Sequence, residues 1–182
     1  MTLTQYYTAT TLDGFIADEH QSLDWLFDVD RGENAGSAFT EFFAGVGAMA
    51  MGATTYEWAL EHDAGESWAK WYGETPCWVF THRDLPVVPG VRLEFVQGDV
   101  APVHAAMAAA AGDQNIWLMG GGDLVGQFAD QGLLDEILVG IAPVTLGAGA
   151  PLLPRRLGAS QLELVGLDRQ GQFARLTYRV RR

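Results

Sequence analysis

Three stretches of the chain combine an apolar run with glycine or hydroxyl residues, a pattern suited to binding an anion. Residues 116–125 read I-W-L-M-G-G-G-D-L-V, residues 48–57 read A-M-A-M-G-A-T-T-Y-E, and a third apolar run ends in Thr81-His82-Arg83. Glycine lets a ligand approach the backbone closely, and the first turn of a helix offers free N–H groups to phosphate. If the three strands are neighbours in a parallel sheet, their carboxyl ends suit a long anionic cofactor.

Each junction also has a purely structural interpretation. Asp123 can cap the helix that follows the glycines, and Thr54 or Thr55 can cap the helix that follows Gly52. The glycine spacing differs from the dinucleotide fingerprint G-x-G-x-x-G, because Val125 stands where the third glycine would be. The junctions therefore indicate an anion site only when they are taken together.

The sequence lacks the residue patterns typical of metal-dependent catalysis, acyl transfer and nucleotide hydrolysis. The four histidines are scattered along the sequence, at His20, His62, His82 and His104. With a single cysteine, Cys77, no metal site is expected. Neither a G-x-S-x-G elbow nor a Walker sequence occurs. Asp13, in L-D-G, is either a turn residue or a proton donor, and Trp25 is either a wall of a site or a core residue.

Strands and helices alternate in the part of the chain that carries these residues. Strands are predicted at residues 3–11, 46–51, 77–81, 92–96 and 115–119, with residues 15–17 extended, and helices at residues 37–43, 54–62, 103–111 and 123–131. This alternation predicts a mainly parallel sheet with helices on both faces, an α/β fold. Three more extended segments, at residues 136–142, 161–168 and 173–180, follow without a helix, so the end of the sheet is expected to be antiparallel.

Composition restricts the classes of partner. The 182 residues are 48% apolar and 19% charged, which is typical of a globular chain, and we expect one domain over residues 1–182. The formal charge of −12 disfavours nucleic acid and anionic membrane surfaces as partners. No apolar run reaches the roughly 18 residues of a membrane helix. Cys77, in P-C-W-V-F, is expected to be a buried inert thiol, which fits a reducing, cytoplasmic compartment.

Taken together, five motifs resemble one known family. They are T-L-D-G-F-I-A at residues 11–17, M-G-A-T-T-Y-E at 51–57, V-F-T-H-R at 79–83, M-G-G-G-D-L at 119–124, and G-L-L-D-E-I-L-V-G-I-A-P-V-T-L-G-A-G-A-P-L-L at 132–153. The chain resembles the dihydrofolate-reductase-like fold, and within it the reductase domain of the bifunctional riboflavin-biosynthesis deaminase/reductase and its stand-alone relatives. The resemblance spans nearly the whole chain, and the last motif is the most specific.

The resemblance implies a reductase that binds NADPH and passes a hydride to a small heterocyclic substrate. Residues implied to bind the cofactor are Ala9 and Ile16 at the nicotinamide, Gly52, Ala53, Thr54 and Thr55 at the pyrophosphate, Thr81 and Arg83 at the 2′-phosphate, and Gly121, Gly122, Asp123 and Leu124 at the phosphate and ribose. The family also implies a cis bond at Gly120–Gly121. The substrate side is expected to involve Trp25, Ser37, Phe39, Thr40 and Phe43, with Tyr56 and Trp58 as further aromatic candidates.

Departures from the family pattern bear on the substrate. Gly36 stands where the dihydrofolate reductases carry an acidic residue, and residues 73–76 lack the arginine that binds folate, so folate itself is not expected. The helix at residues 37–43 also lacks the cation of the riboflavin-pathway enzymes. Ala53 replaces an arginine of many relatives, which leaves Arg83 as the clearest cation for a 2′-phosphate.

Three functions remain open from the sequence. The first is an NADPH-dependent reductase of a pteridine- or pyrimidine-like substrate, with Asp13 or Trp25 as catalytic candidates. The second is the 5-amino-6-(5-phosphoribosylamino)uracil reductase of riboflavin biosynthesis, with Arg155 or Arg156 holding the substrate phosphate. The third is a noncatalytic small-molecule-binding module. Relatives in this branch pair through sheet edges, so a homodimer is expected.

Overall fold

A computed structural model describes residues 2–63 and 66–181 of the chain. Within these residues, α1 to α6 and β1 to β10 have the following bounds. The helices are α1 (Asp24–Phe27), α2 (Ala35–Ala44), α3 (Ala53–Asp63), α4 (Glu66–Tyr72), α5 (Val100–Ala111) and α6 (Gly122–Asp130). The strands are β1 (Thr4–Thr11), β2 (Phe15–Ala17), β3 (Val46–Gly52), β4 (Cys77–Phe80), β5 (Leu93–Val96), β6 (Asn115–Gly120), β7 (Glu136–Ala142), β8 (Ala150–Pro151), β9 (Leu162–Gln170) and β10 (Phe173–Val180).

Eight of the strands form one sheet in the order β5-β4-β3-β6-β1-β7-β10-β9. The first six of these run parallel, with β1 and β7 in register from Gln5 opposite Glu136 to Thr11 opposite Ala142. β10 pairs antiparallel with both β7 and β9. The predicted α/β class, with a parallel body and an antiparallel end, is confirmed. β2 and β8 form a separate antiparallel pair beside the carboxyl end of β1.

The continuous apolar runs arise because the central strands are covered on both faces. On β6, Ile116 and Leu118 join a core cluster with Met107 of α5 and Phe128 of α6, whereas Trp117 between them points into a second cluster. Successive side chains of a strand point to opposite faces, so a strand buried on both sides has no polar alternation. The second cluster receives Tyr56 of α3, and aromatic residues of α2 pack against it.

Element boundaries differ from the predictions at the glycine junctions. α6 begins at Gly122 with Gly121 as its N-cap, and Asp123 lies inside its first turn, so the predicted Asp123 cap is wrong. α3 begins at Ala53, one residue before Thr54, so Thr54 and Thr55 lie within the helix instead of capping it. The Gly120–Gly121 peptide bond is cis, as the resemblance implied. The one-turn α1, the two-residue β8 and α4 were not predicted.

The lengths of the helices bear on whether the chain could cross a membrane. None of those described, in residues 2–63 and 66–181, combines the length and apolar character needed to cross one.

Candidate active site

The carboxyl ends of β3, β6 and β1 meet at a cleft of about 370 Å³. The three strands are adjacent in the sheet, so the two helices that follow β3 and β6 begin side by side. The cleft is lined by Thr8, Ala9, Ile16, Ala17, Gln21, Leu23, Trp25, Leu26, Gly52, Ala53, Thr54, Thr55, Trp58, Met119, Gly120, Gly121, Gly122, Asp123, Leu124, Ala150, Pro151 and Pro154. This is the edge at which ligands bind in open parallel sheets.

Glycines leave backbone accessible on the floor of the cleft. A Cβ atom added at Gly52 would have the Gly121 nitrogen, 3.8 Å away, as its nearest neighbour, and one added at Gly121 would meet only the Ile16 Cδ1, at 4.0 Å. Both positions therefore face open space that a side chain would fill. The first N–H groups of α3 and α6 have no partner within their helices. This backbone cradle, with two helix N-termini, has the chemistry to bind a phosphate group.

Most of the residues implied for the cofactor line this cleft. Ala9, Ile16, Gly52, Ala53, Thr54, Thr55, Gly121, Gly122, Asp123 and Leu124 are all in its walls. The sequence resemblance therefore selected ten residues from five separate elements that the fold brings into one cavity. Their individual contacts with a cofactor remain predictions.

Thr81 and Arg83 lie apart from the cleft, just after β4. The Arg83 Nη1 is 2.9 Å from the Glu57 Oε1 of α3, and both side chains are partly exposed. The Thr81 hydroxyl accepts a hydrogen bond from the Arg83 backbone N–H at 2.9 Å and donates to the Arg83 carbonyl at 3.1 Å. Thr81 thus shapes the turn that carries Arg83, and Glu57 holds the guanidinium beside the first half of α3.

The substrate-side residues divide into two groups. Trp25 lines the cleft, is 8% exposed, and packs against Ala142 and Phe173, so it is both a wall and a core residue. Its indole N–H is buried and has no acceptor among the residues that the structure describes. Trp58 also lines the cleft, as the aromatic pattern suggested.

The α2 residues do not line the cleft. Phe39 and Phe43 pack against the Trp117 ring, with centroids 5.7 and 6.2 Å away. The Ser37 and Thr40 hydroxyls donate to the carbonyls of Asn34 and Gly36 in their own helix region, each at 2.9 Å. The structure therefore places these four α2 residues outside the cleft lining, because the aromatic side chains of α2 pack against the core, and their contact with a substrate stays a prediction. The candidate Tyr56 is likewise fully buried, with its hydroxyl donating to the Pro86 carbonyl.

Sequence reasoning missed an aromatic contact beside the cleft. The Phe27 ring of α1 stacks on Trp58, with centroids 6.1 Å apart. The guanidinium carbon of Arg31 lies 5.0 Å from the centre of the Phe27 ring. The only available signal was L-D-W-L-F itself, because a helix of four residues is too short to show a period.

Asp13 acts as a turn residue in this structure. Its carboxylate accepts hydrogen bonds from the Thr11 hydroxyl and from the backbone N–H groups of Leu146 and Gly147. These bonds, that from Thr11 foremost, hold the pKa of Asp13 below its ordinary value. The carboxylate joins the β1–β2 turn to the segment after β7 and is not in the cleft wall.

The charge distribution around the cleft is sparse. Of the described residues that line it, Asp123 alone is charged, and its Oδ1 lies 3.0 Å from the Nη2 of Arg155. Cys77 is remote from the cleft lining, 1% exposed, and burial raises its pKa, as expected of an inert thiol. The cleft is therefore mainly apolar, with backbone N–H groups on one side and aromatic rings on the other.

Comparison with known proteins places the chain among reductase-domain folds. The RibD C-terminal domain family model matches residues 66–173. YwjB of Bacillus subtilis, an uncharacterised protein, is 31% identical over 96% of both chains. A crystal structure of a putative riboflavin biosynthesis protein from Shewanella sp. PV-4 is 26% identical, covers 99% of both chains and superposes with a TM-score of 0.78.

A more distant structure supports the same fold. Dihydrofolate reductase from Enterococcus faecalis, solved in complex with NADP(H), superposes over 99% of this chain and 97% of its own, with a TM-score of 0.62 at 15% identity. At that identity only the fold is shared. The family model and the YwjB match together establish that this chain is a member of the RibD C-terminal domain family.

Proposed function

We propose that the protein is an NADPH-dependent reductase that transfers a hydride to a small, planar, pteridine- or pyrimidine-like heterocycle. The observation that carries the proposal is the cleft itself, in which a glycine cradle at two helix N-termini adjoins an apolar wall with Trp25 and Trp58. The first part has the chemistry to hold a pyrophosphate, and the second suits an uncharged ring. Family membership supports the same class of reaction.

Residues in the cleft fit NADPH by their chemistry. Thr54, Thr55 and the backbone from Gly121 to Leu124 would hold the pyrophosphate and ribose, and Ala9 and Ile16 would lie against the nicotinamide. Arg83, with Thr81 shaping its turn, would hold the 2′-phosphate. When bound, NADPH supplies the hydride. The protein contributes the fixed distance and orientation of the two reactants and a wall that excludes water.

Reduction of a C=N bond also consumes a proton at nitrogen. In the described lining, the one carboxylate is that of Asp123, which is paired with Arg155, and Asp13 is engaged in its turn. We therefore propose that the proton donor is a water molecule that enters the cleft. The buried N–H of Trp25 is suited to hold an acceptor atom of the substrate or that water.

The riboflavin-pathway uracil reductase is the second candidate, supported by family membership. Its phosphorylated substrate needs a cation, yet the guanidinium of Arg155 is held by Asp123, Asp130 and the Pro154 carbonyl. Arg156 is not among the described lining residues. This arrangement favours a substrate without phosphate. Turnover of 5-amino-6-ribosylaminouracil with and without its 5′-phosphate separates the two candidates, since only a phosphate pocket gives a faster reaction with the phosphorylated form.

Titration of the purified protein with NADPH and NADH, followed by quenching of tryptophan fluorescence, tests the cofactor part directly. Saturable micromolar NADPH binding and substrate-dependent loss of nicotinamide absorbance would support the reductase. Binding without oxidation across a panel of pteridines and aminopyrimidines would instead favour a noncatalytic binding module. Absence of saturable binding by either nucleotide would contradict the proposal.

We further propose that two copies pair through β9. This strand is one of the two edges of the eight-stranded sheet, and it exposes Leu164, Val165 and Leu167. Unpaired edge strands with apolar side chains readily pair with another strand. Light scattering at micromolar concentration should give the mass of a dimer for the natural chain and of a monomer for Leu167→Lys. A monomeric natural chain would contradict the pairing.

A further inference from the structure

Arg155 lies along the surface of α6 and is held at every nitrogen. Its Nη2 is 3.0 Å from the Asp123 Oδ1, its Nε is 2.8 Å from the Asp130 Oδ2, and its Nη1 donates to the Pro154 carbonyl at 2.9 Å. The side chain is 25% exposed, although both carboxylates are mostly in solvent. One arginine thus joins the first and the last turn of the helix.

Gly126 makes this arrangement possible. A Cβ atom at that position would lie 2.8 Å from the Cγ, Cζ and Nε atoms of Arg155. Asp123 and Asp130 are seven residues apart, which places them two turns apart on the same face of α6 with Gly126 between them. The absence of a side chain there lets the arginine lie flat between the two carboxylates.

Asp123 presents an electrostatic difficulty for the proposed cofactor site. It lies in the first turn of α6, lines the cleft, and its side chain is 70% exposed. The same turn supplies the N–H groups that would bind a pyrophosphate, and an unpaired carboxylate beside them would repel that anion. Its second oxygen accepts a hydrogen bond from the neutral Gln127 amide at 3.1 Å, and no other cation than Arg155 is paired with it among the described residues. Neutralisation of this carboxylate therefore depends on Arg155.

We propose that Arg155 is a positioning residue that makes the N-terminus of α6 competent to bind the cofactor pyrophosphate, by neutralising Asp123 and tying it along the helix. The inference rests on the proposed NADPH-dependent function. The proposal gives a role to Asp123, the one charged residue in the described cleft lining. It also gives a role to Arg155, which is distant in sequence from the glycine motif. Arg155 acts through Asp123 and need not touch the cofactor.

The test measures the Kd for NADPH by quenching of tryptophan fluorescence. Four proteins are compared: the natural chain, Arg155→Met, Asp123→Asn and the double variant. Methionine keeps an apolar stem over Gly126 but removes the charge. Arg155→Met should raise the Kd about five- to tenfold at low salt, and this loss should shrink as salt is added. Asp123→Asn should bind at least as tightly as the natural chain, and the double variant should return to within about threefold of it.

Two further variants separate charge from position. Gly126→Ala changes no charge, but its methyl group displaces Arg155 from between the carboxylates, so it should also raise the Kd while the helix itself stays intact. Arg92→Met removes an equal charge from an exposed residue before β5 and serves as the control, with an unchanged Kd expected. Thermal unfolding of each unliganded variant reports on folding separately.

The outcomes distinguish this inference from the proposed function. If the natural chain does not bind NADPH, both fail. If it binds and Arg155→Met binds equally well, the inference alone is overturned. A double variant that stays as weak as Arg155→Met would also overturn it, because a purely structural role of Arg155 would not be rescued by neutralising Asp123.

Discussion

The rings of Phe27 and Trp58 stack beside the cleft, with centroids 6.1 Å apart and planes inclined by 12°. Phe27 belongs to the single-turn helix α1, whose Trp25 packs against β7 and β10, and Trp58 belongs to α3 in the cleft wall. Trp58 in turn stacks on His62, at 4.1 Å. The stack therefore holds the α1 segment against α3, the helix that follows β3 of the parallel sheet.

Removing this stack should loosen α1 without unfolding the protein. A helix of four residues is not stable alone, and an aromatic pair contributes roughly 0.5–1.5 kcal/mol beyond burial. Phe27→Ala should therefore speed hydrogen exchange of the backbone amides at residues 23–31 by about threefold to tenfold, measured by mass spectrometry. Trp71→Ala, an exposed tryptophan of α4, is the matched control. Equal exchange in the two variants would show that the stack does not hold α1.

Arg83 should determine the preference for NADPH over NADH. Loss of a charge-assisted bond to a phosphate costs about 1.5–3 kcal/mol, so Arg83→Ala should raise the Kd for NADPH at least about tenfold and leave that for NADH nearly unchanged. Glu57→Gln removes the negative charge that pairs with the guanidinium at 2.9 Å and should tighten NADPH binding a few-fold. Both constants come from fluorescence titration. Equal losses for the two nucleotides in Arg83→Ala would place the 2′-phosphate elsewhere.

Asp13 should matter for stability and its pH dependence but not for turnover. Hydrogen bonds, first that from Thr11, lower its pKa in the folded chain, so its stabilising contribution is present above the ordinary carboxyl pKa and is lost as the pH falls through the lowered value. Asp13→Asn should lower the Tm at neutral pH, and the gap from the natural chain should narrow in acid. Asp113→Asn, an exposed residue before β6, is the control.

The same variant decides the catalytic question for Asp13. Because its carboxylate is engaged with the segment after β7 and lies outside the cleft lining, Asp13→Asn should retain NADPH binding and hydride transfer at temperatures where it is folded. A folded variant with normal NADPH affinity but no turnover would make Asp13 the proton donor.

The parallel sheet was predictable from the sequence because short apolar runs, which are local features, indicate its strands. β3, β4 and β6 are apolar runs bounded by glycine, proline or polar residues, and each ends within one residue of its predicted end. The short α1 and β8 escaped prediction because four or two residues show no period and depend on tertiary contacts. The family resemblance, in contrast, identified the cleft residues from motifs that are far apart in the sequence. No local pattern shows that these motifs meet in space.

Side-chain placement was less predictable than the backbone. Phe39 and Phe43 are aromatic residues near the implied substrate side, but apolar character alone does not tell a cleft wall from a core. In the structure both are half-buried and pack against a core cluster that contains Trp117, together with Tyr7 and Phe42. The pair of Asp123 with Arg155 joins residues 32 positions apart, so only the fold reveals that the carboxylate is neutralised.

Gly122 should be the glycine of the triplet least tolerant of a side chain. A Cβ atom there would lie 2.3 Å from the Pro151 carbonyl oxygen and 2.4 Å from that of Leu152, both backbone atoms that cannot rotate away. The Leu152 carbonyl also accepts from the Tyr6 hydroxyl, at 3.0 Å, which fixes the residue after β8 against β1. Gly122→Ala must therefore separate α6 from the segment at β8, two walls of the same cleft.

The expected cost of Gly122→Ala is about 3 kcal/mol in the free energy of unfolding, from forced overpacking against backbone. Gly36→Ala is the matched control, because a Cβ atom there meets nothing within 4 Å and the residue lies in α2. That substitution should be neutral or stabilise by up to about 1 kcal/mol. Urea unfolding with a shared m-value measures both. Equal stabilities of the two variants would mean that α6 and the β8 segment are not held at the observed separation, and the cleft would then form only when a ligand draws them together.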